Sequence, residues 1–348
     1  MTFWKAITGA RQSAAMVGSI MLLPLTLAAC GPAGGGLTGG SGSEVCSKYP
    51  SKDMRLVVPY SPGGGFDVWA RLMEPFLVKH LGGDIDMQVE NVPGGGGMRA
   101  VNELHAAPPD GTTVLFTEPG YIAVNQVLGR TSGDFDLRDL TYLGQATADP
   151  QVFAVAADSD ITTFEDLTKR PIKHAGQDIS PIETITYAAY GIDAEYILHE
   201  GTSEVALAVR RGDSDATVIS LSSILEFLEA GELKPVLYLG KDKITPDTLG
   251  YEHLKDTPTA DETGHPELAK VLEQHRVLAG PPKLPGCVEK KLSSALSKTL
   301  ADPDFKAKAK QADLQIVPET GAQATEQVST TLAAFKKYQK TLQKEISG

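Results

Sequence analysis

Apolar and polar positions along the chain fall into two alternating patterns. Short apolar, β-branched runs recur, and between several of them the apolar residues have the spacing of one helix face. The short runs predict strands at 55–60, 86–91, 112–117, 152–157, 216–220 and 235–239. A stripe near the C terminus predicts one final helix packed on a sheet and comprises Val328, Leu332, Phe335, Leu342 and Ile346. Strands that alternate with helices indicate an α/β fold with largely parallel sheets.

Two glycine-rich turns follow neighbouring predicted strands. The first is Ser61-Pro-Gly-Gly-Gly-Phe-Asp67, and the second is Asn91-Val-Pro-Gly-Gly-Gly-Gly-Met98. Glycine accepts positive φ and lets main-chain N–H groups approach a ligand, and a helix that starts behind the turn adds the positive end of its dipole. Ligands of such sheets lie outside the carboxyl ends of the strands. The two turns therefore predict an anion cradle.

The helix behind the first turn raises a question about Asp67, an acidic residue inside a predicted anion site. We expect Asp67 either to cap this helix or to accept hydrogen bonds from the amides of residues 63–66. Arg71, one turn later, is expected to pair with Asp67 or with Glu90 and to have a structural role. Pro75 should kink or shorten the helix.

Residues 1–29 have the pattern of an export signal. Lys5 and Arg11 supply the positive start, residues 14–27 form the apolar run, and Cys30 follows a small-residue exit. Cys30 is predicted to be lipidated, and the alternative is an ordinary secretory signal in which Cys30 is incidental. Residues 30–49 then form the lipidated cysteine and a flexible tether, with a reach of roughly 20 Å for the Gly/Ser-rich stretch 31–43.

Charge and size restrict the class of protein. Loss of the signal takes the formal charge from −12 to −14, because Lys5 and Arg11 leave and no acidic residue does. With no clustered basic face, nucleic-acid binding is not expected. The remaining chain of about 305 residues exceeds one comfortable core and predicts two lobes. Cys46 and Cys287 suggest a disulfide in an exported protein, or else two separate thiols.

Catalytic and cofactor motifs are weak in this sequence. Residues 95–100 fit a dinucleotide fingerprint, but four consecutive glycines produce that match almost automatically, and no acidic ribose partner follows. Hydrolase, P-loop and zinc motifs are absent, and the seven histidines never fall at ligand spacing. We therefore expect no metal, no cofactor and no catalytic residue. An exported α/β enzyme acting on a carboxylate or phosphate substrate remains the alternative.

Three consecutive segments resemble one family. They are Arg55-Leu-Val-Val-Pro-Tyr-Ser-Pro-Gly-Gly-Gly-Phe-Asp-Val-Trp-Ala-Arg71, Val89-Glu-Asn-Val-Pro-Gly-Gly-Gly-Gly97 and Ala107-Pro-Pro-Asp-Gly-Thr-Thr-Val-Leu115. In order and spacing they resemble the Bug, or TctC-like, family, the extracytoplasmic solute receptors of tripartite tricarboxylate transporters. Weaker similarity extends the resemblance over roughly residues 50 to 345.

The resemblance implies a periplasmic-binding-protein-like fold: two α/β lobes with crossing strands and an interlobe ligand cleft. It places lobe 1 at 50–150 plus 277–348 and lobe 2 at 151–276, with the crossings near 149–152 and 276–279. It also implies a lipid-anchored, extracytoplasmic receptor that hands a small organic anion to a membrane permease. The anion would carry one, two or three carboxylates and be aliphatic or aromatic, and we expect the receptor to be a monomer.

The resemblance also implies a set of ligand-binding residues. Loops of the first lobe grip a carboxylate in this family, and the second lobe contributes two turns and a strand end. Phe66 departs from the small hydroxyl residue of many members, so the site is expected to favour an apolar or aromatic ligand body. The implied residues are Ser61, Gly63, Gly64, Gly65, Phe66, Asp67, Asn91, Pro93, Gly94, Gly95, Gly96, Gly97, Met98, Gln177, Ser180, Gly201, Thr202, Ser203 and Ser220.

Overall fold

The computed structural model describes residues 46, 48–131, 135–177, 180–199, 201–240, 243–246, 248–269, 271–312 and 314–347. The predicted export signal, Cys30 and the stretch 31–43 therefore lie outside the described residues. Within the described ranges no helix is long and apolar enough to span a bilayer.

Eleven strands are found in the described part of the chain. They are β1 (Met54–Val58), β2 (Met87–Asn91), β3 (Thr113–Thr117), β4 (Thr141–Asp149), β5 (Gln151–Ala156), β6 (Ile172–Gly176), β7 (Ala194–Leu198), β8 (Ala216–Ser220), β9 (Leu233–Leu239), β10 (Gln274–Gly280) and β11 (Glu319–Thr320). All six predicted strands are present, with ends that differ by at most two residues. β4, β6, β7, β10 and β11 were not identified from the apolar runs.

The α-helices of the described residues lie mostly between these strands. They are α1 (Gly65–Leu81), α2 (Met98–His105), α3 (Pro119–Val127), α4 (Pro181–Tyr190), α5 (Thr202–Arg210), α6 (Leu221–Glu229), α7 (Tyr251–Leu254), α8 (Pro266–Ala269), α9 (Gly286–Ala301), α10 (Pro303–Gln311), α11 (Gly321–Lys337) and α12 (Gln339–Ser347). Short 3₁₀ turns add Gly95–Gly97, Leu137–Asp139 and Phe164–Thr168.

Two mixed sheets form the cores of two lobes. The first sheet has the order β11-β4-β10-β3-β1-β2, and the second has the order β7-β6-β8-β5-β9. β1, β2 and β3 pair in parallel, as do β6, β7 and β8, whereas β10 runs antiparallel to β3 and β4, and β5 antiparallel to β8 and β9. In each sheet the parallel strands therefore present their carboxyl ends at one edge, where helices begin.

The chain crosses between the lobes at two adjacent segments. β4 ends at Asp149 in the first sheet, and β5 begins at Gln151 in the second, so Pro150 alone separates the two sheets. The return strand β10 starts at Gln274, which lies opposite Asp149 in the antiparallel register. These crossing strands confirm the predicted two-lobed α/β architecture.

The first lobe encloses a large aromatic and aliphatic core. Trp69, Phe116 and Phe305 are almost fully buried there, and α1 and α9 pack against each other. Cys46 and Cys287 form a disulfide, with their Cα atoms 5.7 Å apart, which ties the start of the described chain to α9. The start of the described chain is thus covalently held to the first lobe.

Two helix predictions require correction. α1 begins at Gly65 after the N-cap Gly64, so Asp67 is the third helical residue and not the cap. The helix also continues through Pro75 to Leu81, so it is not shortened there, because the single hydrogen bond that proline removes costs less than the buried face of this helix gains. A kink at Pro75 stays a prediction.

The C-terminal stripe does not form one helix. It breaks after Lys337 into α11, which packs on β4 and α3, and α12, which packs on α4 beside the second sheet. Val328, Phe335 and Leu342 are nevertheless buried, as the stripe predicts. The break lets one amphipathic segment cover surfaces on two different sheets, which a straight helix would not reach.

Candidate functional site

A cleft of about 260 Å³ opens between the lobes, and its first-lobe wall comes from α1, α3 and β10. Gly65 and Phe66 lie at the start of α1, Tyr121 lies in the first turn of α3, and Gln274 and Arg276 lie on the crossing strand β10. This wall therefore combines an aromatic surface, an amide side chain and one guanidinium.

The second-lobe wall is mostly uncharged and polar. Gln177, Thr217, Ser220 and Ser223 line it, and the Ser220 and Ser223 hydroxyl oxygens are 2.7 Å apart. Glu183 adds one carboxyl group to this wall. Thr217 is fully buried, and its Oγ1 has no hydrogen-bond partner among the described residues. Burial of a hydroxyl without a hydrogen-bond partner costs free energy, and a polar ligand could supply the missing hydrogen bond. This wall is therefore suited to a polar ligand.

Five helices begin at the cleft. Residues from the first turns of α1, α3, α4, α5 and α6 all line it, namely Gly65, Tyr121, Glu183, Val205 and Ser223. Each helix start carries the positive end of a dipole, although side chains accept from main-chain N–H groups at the starts of α3, α4 and α6. Helix starts from both lobes thus make the cleft attractive to an anion, since each adds a partial positive charge where the lobes meet.

Arg276 places a full positive charge in the first-lobe wall. Its Nη2 donates to Gln274 Oε1 at 3.1 Å, and its Cζ lies 4.9 Å from the Phe66 ring centroid. Asp149 and Glu118 act on the guanidinium through their charge and not through a hydrogen bond, and Arg276 Nε is buried without a hydrogen-bond partner among the described residues. Burial lowers the pKa of Arg276, and the nearby Asp149, Tyr60 and Glu118 oppose this shift.

Two buried carboxyl groups lie behind Arg276. Glu118 caps α3 by accepting from the N–H groups of Gly120 and Tyr121, at 2.8 Å and 2.6 Å. Asp149 accepts from the N–H and hydroxyl of Ser222 in the first turn of α6. Burial raises the pKa of Asp149 and raises that of Glu118 to about 7. Both carboxyl groups are therefore engaged with helix starts rather than bonded to the guanidinium.

The first glycine turn is held by Asp67. Gly63 N–H donates to Asp67 Oδ2 at 2.8 Å, Arg71 pairs with the same carboxylate, and Asn91 Nδ2 donates to Asp67 Oδ1 at 3.0 Å. The bond from Arg71, followed by those from Gly63 and Asn91, lowers the pKa of Asp67 to about 2 against the opposing effect of burial. Asp67 thus orients the turn as an acceptor, and Arg71 pairs with Asp67, whereas Glu90 pairs with Arg55.

The second glycine turn lies outside the cleft lining. Gly94 to Gly97 all have positive φ, between 59° and 130°. Gly97 packs beside Pro59 and Ile122, and Gly96 lies beside the amide of Asn125. In the first turn φ is positive at Gly63, at 82°, but not at Gly64, where it is −76°.

The predicted site residues are thus only partly brought together. Of the predicted set, the residues that line the cleft are Gly65, Phe66, Gln177 and Ser220. The residues of the set that are not among the lining residues are Ser61, Gly63, Gly64, Asp67, Asn91, Pro93, Gly94, Gly95, Gly96, Gly97, Met98, Ser180, Gly201 and Ser203. Ser180 instead caps α4 by accepting from the Glu183 N–H, and the side chain of Thr202 lies outside the described residues.

The sequence reasoning missed Arg276, Gln274, Gln151, Tyr121 and Glu183, which also line the cleft. One signal was available, because the apolar run 277–279 is preceded directly by Arg276 in a segment expected to cross between lobes. A charged residue at the edge of a buried strand is rare without a partner or a function. The other four carry no such signal, since their side chains are common on any surface.

Two α/β lobes joined by crossing strands around a polar cleft define a bilobed solute-binding protein of the periplasmic type. The sequence matches the family described as "Tripartite tricarboxylate transporter family receptor" over residues 70–344. The chain belongs to this family, whose members are extracytoplasmic receptors and not enzymes.

Individual relatives agree with this assignment. A protein from the tcbD-tcbE intergenic region of Pseudomonas sp. strain P51 is 24% identical over 284 residues, which is 79% of this chain and 81% of the relative. A ligand-free TctC solute-binding protein from Polaromonas superposes with a TM-score of 0.71 at 20% identity, over 85% of this chain and 99% of its own. MatC from Rhodopseudomonas palustris, solved with bound malate, superposes with a TM-score of 0.64 at 20% identity, over 84% of this chain and 100% of its own. At these identities the two structures establish the fold alone.

Proposed function

We propose that this chain is a lipid-tethered receptor that captures a small organic carboxylate between its lobes and delivers it to the permease of a tripartite tricarboxylate-type transporter. The observation that carries the proposal is the convergence of helix starts from both lobes on one cleft that also contains Arg276. Fixed N–H groups and a guanidinium are the groups that recognise carboxylates. MatC, which has the same fold, was solved with malate, and this supports a carboxylate ligand.

The net charge of the chain is not an obstacle to anion capture. The formal charge of −12 repels anions at long range, but such fields fade within about 8 Å at physiological salt. Fixed amides act at contact distance, where they are not screened in this way. We propose that the receptor works as a monomer, since both walls of the cleft come from one chain.

A lipid on Cys30 would hold the receptor at the membrane. Cys30 follows the predicted export signal directly, and the Gly/Ser-rich stretch 31–43 would give the folded lobes freedom to reach a permease. Tethering raises the local concentration of receptor at the permease, so a captured solute is handed over before it diffuses away.

The binding proposal is tested by thermal unfolding of the processed protein with malate, succinate, adipate, citrate, benzoate and phenylacetate. A ligand at a hundred times its dissociation constant adds about 2.7 kcal/mol to the free energy of unfolding. We expect at least one acid to raise the melting temperature more than its neutral amide does. If no acid changed the melting temperature, carboxylate capture would be wrong for this chain.

The anchoring proposal is tested by Cys30→Ser in the native host. We expect this variant to leave the membrane fraction or to remain unprocessed, because the modified cysteine is the proposed attachment point. A Ser43→Ala variant in the same segment serves as the control and should stay in the membrane fraction. Membrane association that survives the loss of Cys30 would place the anchor elsewhere.

A further inference from the structure

We propose that Arg276 is a ligand-binding residue whose guanidinium, with the main-chain N–H groups at the start of α1, binds a carboxylate of the ligand. This inference rests on the proposed function and adds the residue that selects for negative charge. Neither the glycine turns nor the family resemblance pointed to it, because Arg276 lies on the return strand β10, more than two hundred residues along the chain from the start of α1.

The Arg276 guanidinium contacts the start of α1. A Cβ built on Gly65 would lie 3.4 Å from Arg276 Nη2 and 3.5 Å from Nη1, so the guanidinium lies directly against the first residue of the helix. Two positive features, a helix start and a guanidinium, therefore meet at the cleft surface. Such an arrangement is unfavourable when empty and favourable when an anion occupies it, as at other anion sites on helix starts.

The Arg276 guanidinium has no carboxylate bonded to it among the described residues. The guanidinium has five N–H donors, and its hydrogen bond within the described residues goes to the neutral side chain of Gln274. Glu118 and Asp149 balance its charge from behind, yet their oxygens are engaged by the starts of α3 and α6. The charge of this buried guanidinium is balanced by nearby carboxyl groups, but no carboxylate is bonded to it. It therefore keeps N–H donors that can bind a ligand.

The Phe66 ring holds the flat face of the Arg276 guanidinium and does not occupy its N–H donors. The Phe66 ring lies 4.9 Å from Arg276 Cζ, and Phe66 itself packs on Tyr60 with ring centroids 4.5 Å apart. Stacking on an aromatic face fixes the guanidinium and leaves its N–H edge directed elsewhere. Phe66, which is only 8% exposed, therefore acts as a positioning residue rather than as a broad apolar surface for the ligand.

The experiment compares acids with their amides on variants of Arg276. Titration calorimetry of the processed protein is done with the best-binding acid of the panel and with its amide. The variants are Arg276→Gln, Arg276→Lys and, as the matched control, Arg138→Gln, because Arg138 is an exposed arginine paired with Asp136 outside the cleft lining. Melting temperatures of all variants are measured in parallel.

We expect Arg276→Gln to weaken binding of the acid at least about 30-fold, within the range measured for loss of one partner of a buried charge pair. Binding of the amide should change less than about threefold, because the amide never used the charge. Arg276→Lys should retain part of the acid affinity, and Arg138→Gln should retain all of it. A purely structural arginine would instead weaken acid and amide equally.

Each other outcome has a defined meaning. Acid affinity of Arg276→Gln within threefold of the wild type, or equal losses for acid and amide, would overturn the assignment of Arg276 while the proposed function stands. If Arg276→Gln does not fold, the double variant Arg276→Gln/Asp149→Asn removes the buried positive charge together with the negative charge of Asp149. The same criteria for acid and amide binding apply to it. If the wild type binds no acid of the panel, both the proposed function and this inference are wrong.

Discussion

Burial gives individual residues around the cleft unusual charge properties. Glu118 and Asp149 have raised pKa values, Arg276 has a lowered one, and the fully buried His174 has a pKa of about 3. The dominant cause in each case is desolvation, which penalises the charged form of any group. These residues therefore link protonation to stability in ways that the composition of the chain does not indicate.

Glu118 should make stability depend on pH in a defined direction. Its pKa is raised from 4.5 to about 7, so between these values the folded protein holds a proton that the unfolded chain has lost. This contribution to stability is complete below the pKa that Glu118 has in the unfolded chain. It is lost as the pH rises through the pKa of Glu118 in the folded protein, and the free energy of unfolding falls by about 3 kcal/mol in total. His174 acts in the opposite direction, because its lowered pKa removes stability as the pH falls.

The comparison of wild type with Glu118→Gln isolates this contribution, since the amide stays neutral at every pH. We expect the free energy of unfolding of the variant, relative to that of the wild type, to rise by about 3 kcal/mol between pH 4 and pH 8. Urea unfolding across this range measures the difference, and the effect of His174 cancels. A difference that stayed constant with pH would show that Glu118 does not titrate near neutrality.

At the scale of elements, the glycine turns and the helix starts have separate tasks. The first turn carries Asp67, whose bonds to Gly63, Arg71 and Asn91 connect the start of α1 to β2. The second turn packs against Pro59 and α3 and lies outside the cleft lining. The first turn thus leads into α1, whose start lines the cleft, whereas the second turn leads into α2, which has no residue among the lining residues.

The two turns should respond differently to a β-branched residue. Gly95 has φ of 59°, a conformation that costs a residue with a side chain about 1–2 kcal/mol, whereas Gly64 is extended at −76°. We expect Gly95→Val to lower the free energy of unfolding by about 1–2 kcal/mol more than the matched variant Gly64→Val. Chemical denaturation of both variants gives the comparison, and equal losses would show that the backbone at Gly95 relaxes.

At the scale of the whole molecule, the crossing segments form a natural hinge. Pro150 alone separates β4 from β5, and Gln274 lies opposite Asp149 where β10 enters the first sheet. Asp149 also bonds the start of α6 in the second lobe, so the hinge is connected to both walls of the cleft. A ligand that contacts both walls gains its second set of bonds only when the lobes are close.

We therefore expect ligand binding to reduce the radius of gyration of the processed protein. Solution scattering with a saturating acid measures the change, and the amide of the same acid, which should not bind tightly, is the control. A variant with a disrupted turn at 201–203, where α5 starts, should show a smaller reduction because the second-lobe wall is weakened. A tight ligand that left the scattering profile unchanged would contradict closure on binding.

Much of the fold follows from local sequence patterns. Apolar β-branched runs located β1, β2, β3, β5, β8 and β9, and the runs are clearest in β1, β3 and β5, where nearly every residue is buried. Among the strands that were missed, β6 and β7 are short and interrupted by polar residues such as His174 and Glu195, so their pairing depends on partners distant in the chain. The break after Lys337 was missed for the same reason, since the surfaces that α11 and α12 cover belong to different lobes.

By itself, the sequence determined the α/β fold through the spacing of its apolar residues and the class of protein through its resemblance to one receptor family, because both are properties of contiguous segments. Only the tertiary structure decided which residues meet at the cleft. Gly65 and Phe66 at the start of α1 meet Arg276 of β10, and Thr217 and Ser223 of the second lobe complete the opposite wall. These residues come from distant parts of the chain, and no local pattern encodes their contact. Pairing between strands and the return of β10 to the first sheet bring them together.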